Sequence, residues 1–239
     1  MYFVEAENLT KKYGQLLALN QFSLKVKKGS VFALLGPNGA GKTSFVKAML
    51  GLTNISEGKI TLMGKDHSDY NARKNIAYLP EKFQFYKYET VSNVLKFFGR
   101  FRGVAEADLT AAVDKALTRV QILDLKDRKV GKLSKGQTQR VGLASLLMGP
   151  VEAMILDEPF SGIDPIGSKD LKSLLLELKS EGVTLFINSH ILSEMEKICD
   201  SIAILDRGQC LASGDLKELV KNQSLEDYFY SLIKSGAQA

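Results

Sequence analysis

The sequence predicts an α/β fold, in which a largely parallel sheet has helices on both faces, a small antiparallel sheet lies at the N-terminal side, and an α-helical subdomain is inserted. Three observations support this prediction. Short apolar runs typical of buried strands alternate with helical stretches. The first thirty residues alternate between apolar and polar side chains, and residues from about 84 to 148 show helical patterns only. The length of 239 residues suits one domain covering 1–239.

The N-terminal part contains two kinds of predicted strand. YFVEAENL and FSLKVKKGS alternate around a turn at Gly14, which predicts an antiparallel pair. VFALLG, at residues 31–36, is instead a continuous apolar run typical of a strand buried on both faces. Gly, Pro and Asn follow it, and then the helical pattern TSFVKAMLGL. This order predicts a strand, a loop and a helix.

The remaining elements continue the alternation. Within the inserted subdomain the predicted helices are SNVLKFFGRF, DLTAAVDKALTRVQIL and QTQRVGLASLLM. After it, the strands AMILD (153–157) and VTLFINS (183–189) bracket the helix LKSLLLELKSEG. A last strand is predicted in the segment SIAILDRGQCLASG. The tail helix that follows places five apolar side chains on one face, namely Leu225, Tyr228, Phe229, Leu232 and Ile233.

Composition excludes several protein classes. The chain has 32 Lys and Arg against 27 Asp and Glu, a formal charge of +5, and its 45% hydrophobic and 25% charged content is that of a globular protein. No apolar run approaches the roughly 20 residues that cross a bilayer. Glu5 and Glu7 stand where a signal peptide needs an apolar core, so we expect a cytoplasmic protein. Cys199 and Cys210 form neither a CxxC nor a zinc pattern.

The strongest motif is the glycine-rich segment GPNGAGKTS between a predicted strand and a predicted helix. It fits GxxxxGK[ST], and this context predicts a P-loop that binds nucleotide phosphates. Glycines let backbone N–H groups wrap phosphate oxygens at the positive end of the helix. Lys42 would pair with the β- and γ-phosphates, and the Thr43 hydroxyl suits Mg²⁺. The predicted ATP-binding residues of this segment are Gly36, Pro37, Asn38, Gly39, Ala40, Gly41, Lys42, Thr43 and Ser44.

A second motif is the pair of carboxylates that ends the buried strand in AMILDEP. A buried carboxylate is costly unless a cation lies nearby, and Mg²⁺ would be that cation. Asp157 would hold the metal, and Glu158 would accept a proton from the water that attacks the γ-phosphate. Alone, such a pair also fits a polar strand end; together with the P-loop it predicts a nucleoside triphosphatase with a RecA-like sheet.

A third segment, LSKGQTQR, resembles the LSGGQ signature of the ATP-binding subunits of ABC transporters. The resemblance covers nearly the whole chain and implies that Ser134 and Gly136 meet the γ-phosphate of ATP held by a second protomer, in a head-to-tail dimer. Lys135 and Gln137 belong to the same predicted signature. That protomer would be a second copy of the chain or a homologous one. Lys135 replaces the usual middle glycine, and the sequence leaves open whether its side chain points toward phosphate or toward solvent.

The resemblance extends to further positions in the family's order. Tyr13 resembles the aromatic residue that stacks on adenine, and Asp164 in SGIDP resembles the D-loop aspartate that links the two protomers. His190 in NSHIL resembles the switch histidine that senses the γ-phosphate, which makes it a predicted catalytic residue in addition to Glu158. The chain departs from the pattern at Glu81 in YLPEKFQF, where the family commonly has a metal-linked glutamine. Gln84 is the less favoured candidate for that role. A carboxylate also binds Mg²⁺, which makes Glu81 a predicted metal ligand beside Thr43 and Asp157.

The family implies a specific kind of partner. A membrane-spanning permease on another polypeptide would hold this ATPase, with its cofactors ATP and Mg²⁺, at the inner face of the cell membrane. Seven aromatic residues near the start of the insertion predict a groove for a short helix of that permease, and these are Phe83, Phe85, Tyr86, Tyr88, Phe97, Phe98 and Phe101. The compact insertion and the YLPE segment resemble single-cassette exporters of drugs, antibiotics or lipids.

Two other functions fit the sequence less well. A soluble ABC-type ATPase acting on nucleic acid or ribosomes fits the positive charge, but the chain has neither an inserted coiled coil nor a second cassette. No nucleic-acid partner is therefore expected. A guanine-nucleotide switch would need an NKxD segment, which the sequence lacks.

Overall fold

The architecture is described from a computed structural model, which covers residues 1–221 and 223–236. Its strands are β1 (Tyr2–Tyr13), β2 (Leu16–Lys27), β3 (Val31–Leu35), β4 (Glu57–Leu62), β5 (Lys65–Asp66), β6 (Ile76–Leu79), β7 (Ala153–Asp157), β8 (Thr184–Ser189), β9 (Ser201–Asp206) and β10 (Gln209–Asp215). Its α-helices are α1 (Lys42–Met49), α2 (Tyr70–Arg73), α3 (Val91–Phe101), α4 (Leu109–Arg119), α5 (Lys135–Leu146), α6 (Pro165–Ser180), α7 (Leu192–Ile198), α8 (Leu216–Val220) and α9 (Leu225–Gly236). Short 3₁₀ helices span Glu106–Asp108, Leu123–Leu125 and Val130–Lys132.

Two sheets form the framework. The larger has the order β10-β9-β3-β8-β7-β6, with β9, β3, β8, β7 and β6 mutually parallel. The smaller sheet, of order β2-β1-β4-β5, is antiparallel. The α/β class, the parallel core and the N-terminal antiparallel sheet are confirmed.

The prediction of one last strand in SIAILDRGQCLASG is wrong. The segment forms a hairpin, in which β9 pairs antiparallel with β10 across a turn at Arg207 and Gly208. Both turn residues have positive φ, 45° and 79°, which continuous strand geometry excludes. The parallel sheet therefore ends in an antiparallel edge strand.

The core lies in two layers because successive side chains of the central strand β3 point to opposite faces. Phe32 and Leu34 pack in the layer that contains α1 and the antiparallel sheet. Val31, Ala33 and Leu35 pack in the other layer, against α3 to α9. Both faces of the parallel sheet are thus covered, as its continuous apolar strands predict.

Later helices fill the second layer. In α9, Leu225 is buried, and the other four residues of the predicted apolar face also pack on this core. The three helices α3, α4 and α5 lie in sequence between β6 and β7 and contact one another. None of the described helices is both long enough and apolar enough to cross a bilayer.

Candidate active site

The candidate site lies where four parallel strands end side by side. In the sheet β3 neighbours β8, β8 neighbours β7, and β7 neighbours β6. The register pairs Leu35 with Ser189 and Asp157 with Asn188, so the segments that follow these strands leave the sheet at one edge. Carboxyl ends of parallel strands are where α/β folds bind ligands.

The glycine-rich loop that leaves β3 is held tightly against its neighbours. Gly41, at φ 112°, precedes the first turn of α1, and a Cβ there would overlap the carbonyl oxygen of Ala18. A Cβ at Gly36 would overlap the carbonyl oxygen of Leu205. Glycine is therefore required at both positions for the loop to approach β2 and β9 this closely.

Lys42 begins α1 and is nearly buried. Its ammonium group donates hydrogen bonds to the carbonyl oxygens of Gly36 at 2.6 Å and Pro37 at 3.1 Å. Burial lowers the pKa of Lys42, whereas the carboxylates of Glu158, Asp157 and Glu81 act in the opposite direction. The loop thus holds an ammonium group inside its own curve, facing three acidic side chains.

Asp157 ends β7 and is buried. Burial raises the pKa of its carboxyl group, the Asn188 side chain lowers it by donating a hydrogen bond at 3.2 Å, and the negative charges of Glu158 and Glu81 raise it further. Burial and Asp157 together raise the pKa of Tyr78 to about 12. The site therefore concentrates negative charge that a cation would stabilise.

Glu158 is fixed by contacts with the end of β8. Its backbone is left-handed, with φ 52°, and its N–H donates to the carbonyl oxygen of Asn188 at 2.9 Å. Its carboxylate lies 2.8 Å from Nδ1 of His190 and accepts a bond from the His190 backbone N–H at 3.3 Å. The Glu158 side chain is 10% exposed and that of His190 is 58% exposed. A strained backbone held by a neighbouring strand is common at functional sites.

Lys42, Asp157 and Glu158 line one cavity of about 450 Å³. Its lining also includes Tyr13, Leu16, Glu81 and the rest of residues 38–44. Tyr13 is 43% exposed, and the ammonium group of Lys11 lies 4.5 Å from the centre of its ring. Gly36 and Pro37 do not line the cavity, although their carbonyl oxygens hold Lys42.

Arg207 also lines this cavity and was missed by the sequence analysis. It lies in the β9–β10 turn, where the N–H of Gly208 donates to the carbonyl oxygen of Ala40 at 2.9 Å, and the carbonyl oxygen of Gly208 accepts from Asn20 at 2.9 Å. The turn is therefore attached to the glycine-rich loop. The signal was the Asp-Arg-Gly sequence between two apolar runs, which is typical of a hairpin turn.

The signature segment lies at a different cavity in the same chain. Ser134 caps α5 and forms a capping box with Gln137. Ser134, Gly136 and Gln137 line a cavity of about 360 Å³, together with Asp164, which caps α6 by accepting from the N–H of Gly167 at 2.6 Å. This cavity shares no lining residue with the one around Lys42.

Lys135 is exposed, and its side chain lies against Gly162. The structure thus brings together Tyr13, the glycine-rich loop, Glu81 and the two carboxylates that follow β7, and it connects His190 to Glu158. Neither the signature residues nor Asp164 line the cavity around Lys42, although Lys135 and Glu81 share a separate groove.

Comparison with known proteins decides the family. The ABC transporter family model matches residues 19–161. This chain belongs to the ABC transporter family. It is 38% identical over 231 residues to an uncharacterised ABC transporter ATP-binding protein of Synechocystis, covering 92% of this chain but only 62% of that relative. It is 36% identical over 228 residues to the lantibiotic transport ATP-binding protein SrtF of Streptococcus pyogenes, covering 93% of this chain and 97% of that protein.

A solved structure supports the same assignment. The ATP-binding subunit of an ABC transporter superimposes with a TM-score of 0.87 at 29% identity, covering 97% of this chain and 99% of that one. The chain therefore has the P-loop fold of ABC ATP-binding proteins, as its motifs predict.

Proposed function

We propose that this chain binds Mg²⁺-ATP and hydrolyses it to power a transporter whose membrane-spanning permease is a separate polypeptide. One observation carries the proposal: the ammonium group of Lys42 and the carboxylates of Asp157 and Glu158 converge on one cavity at the carboxyl edge of the sheet. An ammonium group inside a glycine-rich loop suits phosphate oxygens, and a carboxylate fixed beside them suits proton transfer from water.

Each lining group has a proposed part in ATP binding. The N–H groups of residues 38–44 would surround the phosphates at the start of α1, and Lys42 would exchange its two carbonyl partners for phosphate oxygens. The half-exposed ring of Tyr13, which lines the same cavity, would stack on adenine. Ser44 follows Thr43 in α1 and is the last of the consecutive residues that line the cavity.

The donor set fits Mg²⁺. Thr43, Asp157 and Glu81 line the cavity with oxygen donors, which are the ligands that Mg²⁺ prefers. No three His, Cys, Asp or Glu side chains among residues 1–221 and 223–236 form a complete metal site, so the phosphates would supply further oxygens. When bound, the metal would neutralise phosphate charge and so favour attack by water.

Hydrolysis would depend on Glu158 and His190. The Glu158 carboxylate would accept a proton from the attacking water, and it is aimed by its left-handed backbone and the contact with His190. His190 contacts Glu158, which lines the cavity, and would approach the γ-phosphate from beside it. This would link the presence of the γ-phosphate to the position of the proton acceptor.

Dimerisation would complete the site. In one chain the signature residues Ser134, Gly136 and Gln137 lie at a separate cavity beside Asp164. They reach a nucleotide only if a second copy or a homologous chain presents them to the opposite glycine-rich loop. The separation of the signature from the glycine-rich loop within one chain therefore supports a dimer that holds two ATP molecules between its chains.

The transported molecule is proposed from the relative alone. SrtF, of which this chain covers 97%, is named for lantibiotic transport, so export of a peptide antibiotic is the proposed task. The chain would then lie at the inner face of the membrane, attached through the permease. Nothing in the comparisons supports the alternative of action on nucleic acid.

The test measures two properties of one preparation. The chain should be isolated in mild detergent from membranes of its source, the membrane proteins that accompany it identified, and ATP turnover measured with and without Mg²⁺. We expect Mg²⁺-dependent ATP hydrolysis and one recurrent polytopic partner. Absence of ATP turnover in such a complex would contradict the ATPase assignment.

We expect Glu81→Gln to weaken the dependence of ATP hydrolysis on Mg²⁺ without abolishing activity. Glu81 lines the same cavity as Asp157, and its negative charge raises the pKa of the Asp157 carboxyl group. Removal of that charge should therefore lower the affinity of the cavity for a cation. Titrating the ATPase rate against Mg²⁺ should give a higher half-activating concentration for the variant. Glu218→Gln, the same change at an exposed glutamate that does not line this cavity, is the matched control. Superimposable curves for Glu81→Gln and the wild type would contradict a metal role.

We expect replacement of Tyr86 and Tyr88 by Ala to weaken attachment to the permease while ATP affinity stays unchanged. Their side chains are 83% and 87% exposed, whereas Phe83, Phe85 and Phe98 pack on the core with edge-to-face ring contacts. Co-purification should fall, and thermal stability should not. Phe85→Ala is the control, since it should lower stability; a loss of stability in the tyrosine variant would show that these rings are structural.

A further inference from the structure

The positive charge of this chain is concentrated beside the exposed tyrosines. Segments 81–91 and 127–135 carry six cationic side chains against three carboxylates, those of Glu81, Glu89 and Asp127, which gives a formal charge of +3. This is more than half of the formal charge of +5 of the whole chain. The cations, called the basic surface below, are Lys82, Lys87, Arg128, Lys129, Lys132 and Lys135.

Backbone hydrogen bonds join the two segments. The N–H of Gly131 donates to the carbonyl oxygen of Lys87 at 3.0 Å, that of Val130 to Glu89 at 2.9 Å, and that of Val91 to Arg128 at 3.0 Å. A Cβ at Gly131 would lie 2.9 Å from the same Lys87 oxygen, so glycine permits this close approach. The fold therefore brings cations from distant parts of the sequence onto one surface.

These cations lack acidic partners. In the part of the chain that the structure describes, none of the six has a carboxylate oxygen within ion-pair distance. By contrast, Lys126 pairs with Asp114, Lys172 with Glu194 and Lys179 with Asp200. Clustered cations repel one another, and within the described residues no direct ion pair offsets that repulsion.

A groove of about 600 Å³ adjoins this surface. Phe83 and Leu133 give it apolar walls, and the charged residues that line it are Lys82, Lys135 and Glu81. Such a groove matches an apolar side chain next to a carboxylate on one short segment. A flat layer of lipid headgroups would meet the cations but would leave the concave apolar part empty.

We infer that the basic surface and its groove receive an acidic segment of the permease, in which Asp or Glu side chains adjoin apolar ones. The inference rests on the proposed function and names the chemistry of the partner. Charge complementarity of this kind selects the partner and speeds association, and salt weakens it. The tyrosines would supply contact area, and the cations would supply specificity.

The first test reverses charge on the basic surface. A variant with Lys87→Glu, Lys129→Glu and Lys132→Glu leaves every residue of the nucleotide cavity in place. A matched control carries Lys59→Glu, Lys74→Glu and Lys115→Glu, which are exposed lysines on other elements with the same change in net charge. On co-purification, we expect the first variant to recover at most about one tenth of the permease that the wild type recovers, and the control to recover the wild-type amount. The ATP turnover of both isolated variants should be unchanged.

The second test uses the wild-type complex and so does not depend on the folding of any variant. A zero-length carbodiimide joins lysine amines only to carboxylates in contact with them. Mass spectrometry should find Lys82, Lys87, Lys129 or Lys132 bonded to Asp or Glu of the co-purified membrane protein. Links confined to carboxylates of this chain, or equal loss of permease in the two lysine variants, would overturn the inference while leaving the ATPase proposal intact.

Vesicles distinguish the lipid alternative. Protein-free phosphatidylcholine vesicles with and without phosphatidylglycerol should bind the wild-type chain equally weakly. Binding that requires phosphatidylglycerol and disappears in the Lys87, Lys129 and Lys132 variant would assign the surface to the membrane and overturn the inference. Recovery of no membrane protein with the wild type would instead contradict the proposed function itself.

Discussion

Glu158→Gln should keep ATP bound but slow its hydrolysis by about 10²–10⁴-fold, the usual cost of losing a general base. Glutamine preserves the size of the side chain and can keep the left-handed backbone that the hydrogen bond to Asn188 supports. It loses the charge and the oxygen that would take the proton. Single-turnover hydrolysis, measured beside ATP affinity, separates the two effects.

The dimer provides a second readout for the same variant. If the signature of one chain closes on the ATP of another, a variant that binds but does not hydrolyse ATP should elute as a lasting dimer with Mg²⁺-ATP. Glu218→Gln, an exposed glutamate on α8, is the matched control and should behave as wild type. Hydrolysis by Glu158→Gln at the wild-type rate would remove Glu158 from the mechanism.

The residues that sequence analysis located well are those whose function depends on local order along the chain. The strand, glycine-rich loop and helix around Gly41 are consecutive, so periodicity and spacing were enough to predict them. The same holds for Asp157 and Glu158, which directly end an apolar run. Burial of β3 on both faces was also predictable, because an uninterrupted apolar run has no solvent side.

Contacts between residues that are distant in the sequence were harder to predict. The 2.8 Å contact of Glu158 with His190 depends on β7 and β8 being neighbours in a set register, which no local pattern specifies. The position of Arg207 depends on the turn between β9 and β10. The sequence predicted one continuous strand there, because apolar residues lie on both sides of the turn. The separation of the signature from Lys42 depends on how α5 packs, a property of the whole core.

Gly41→Ala should destabilise the fold by about 2–5 kcal/mol and lower ATP affinity as well. Left-handed backbone costs a non-glycine residue about 1–2 kcal/mol, and overpacking adds about 1–3 kcal/mol. The overpacking arises because the new Cβ would overlap the carbonyl oxygen of Ala18, a backbone atom that a side-chain rotation cannot move away. Relief requires α1 to shift, which would carry Lys42 and Thr43 away from Asp157.

Gly39→Ala is the matched control for this stability measurement. It lies in the same loop with φ 81°, but a Cβ there would meet nothing within 4 Å, so we expect only the cost of its backbone conformation, about 1–2 kcal/mol. Urea unfolding of both variants without nucleotide measures the difference. Equal losses would show that backbone strain alone accounts for the effect, and that the loop does not need its close approach to β2. A larger loss for Gly41→Ala would show that the loop which holds Lys42 is positioned by this contact with Ala18.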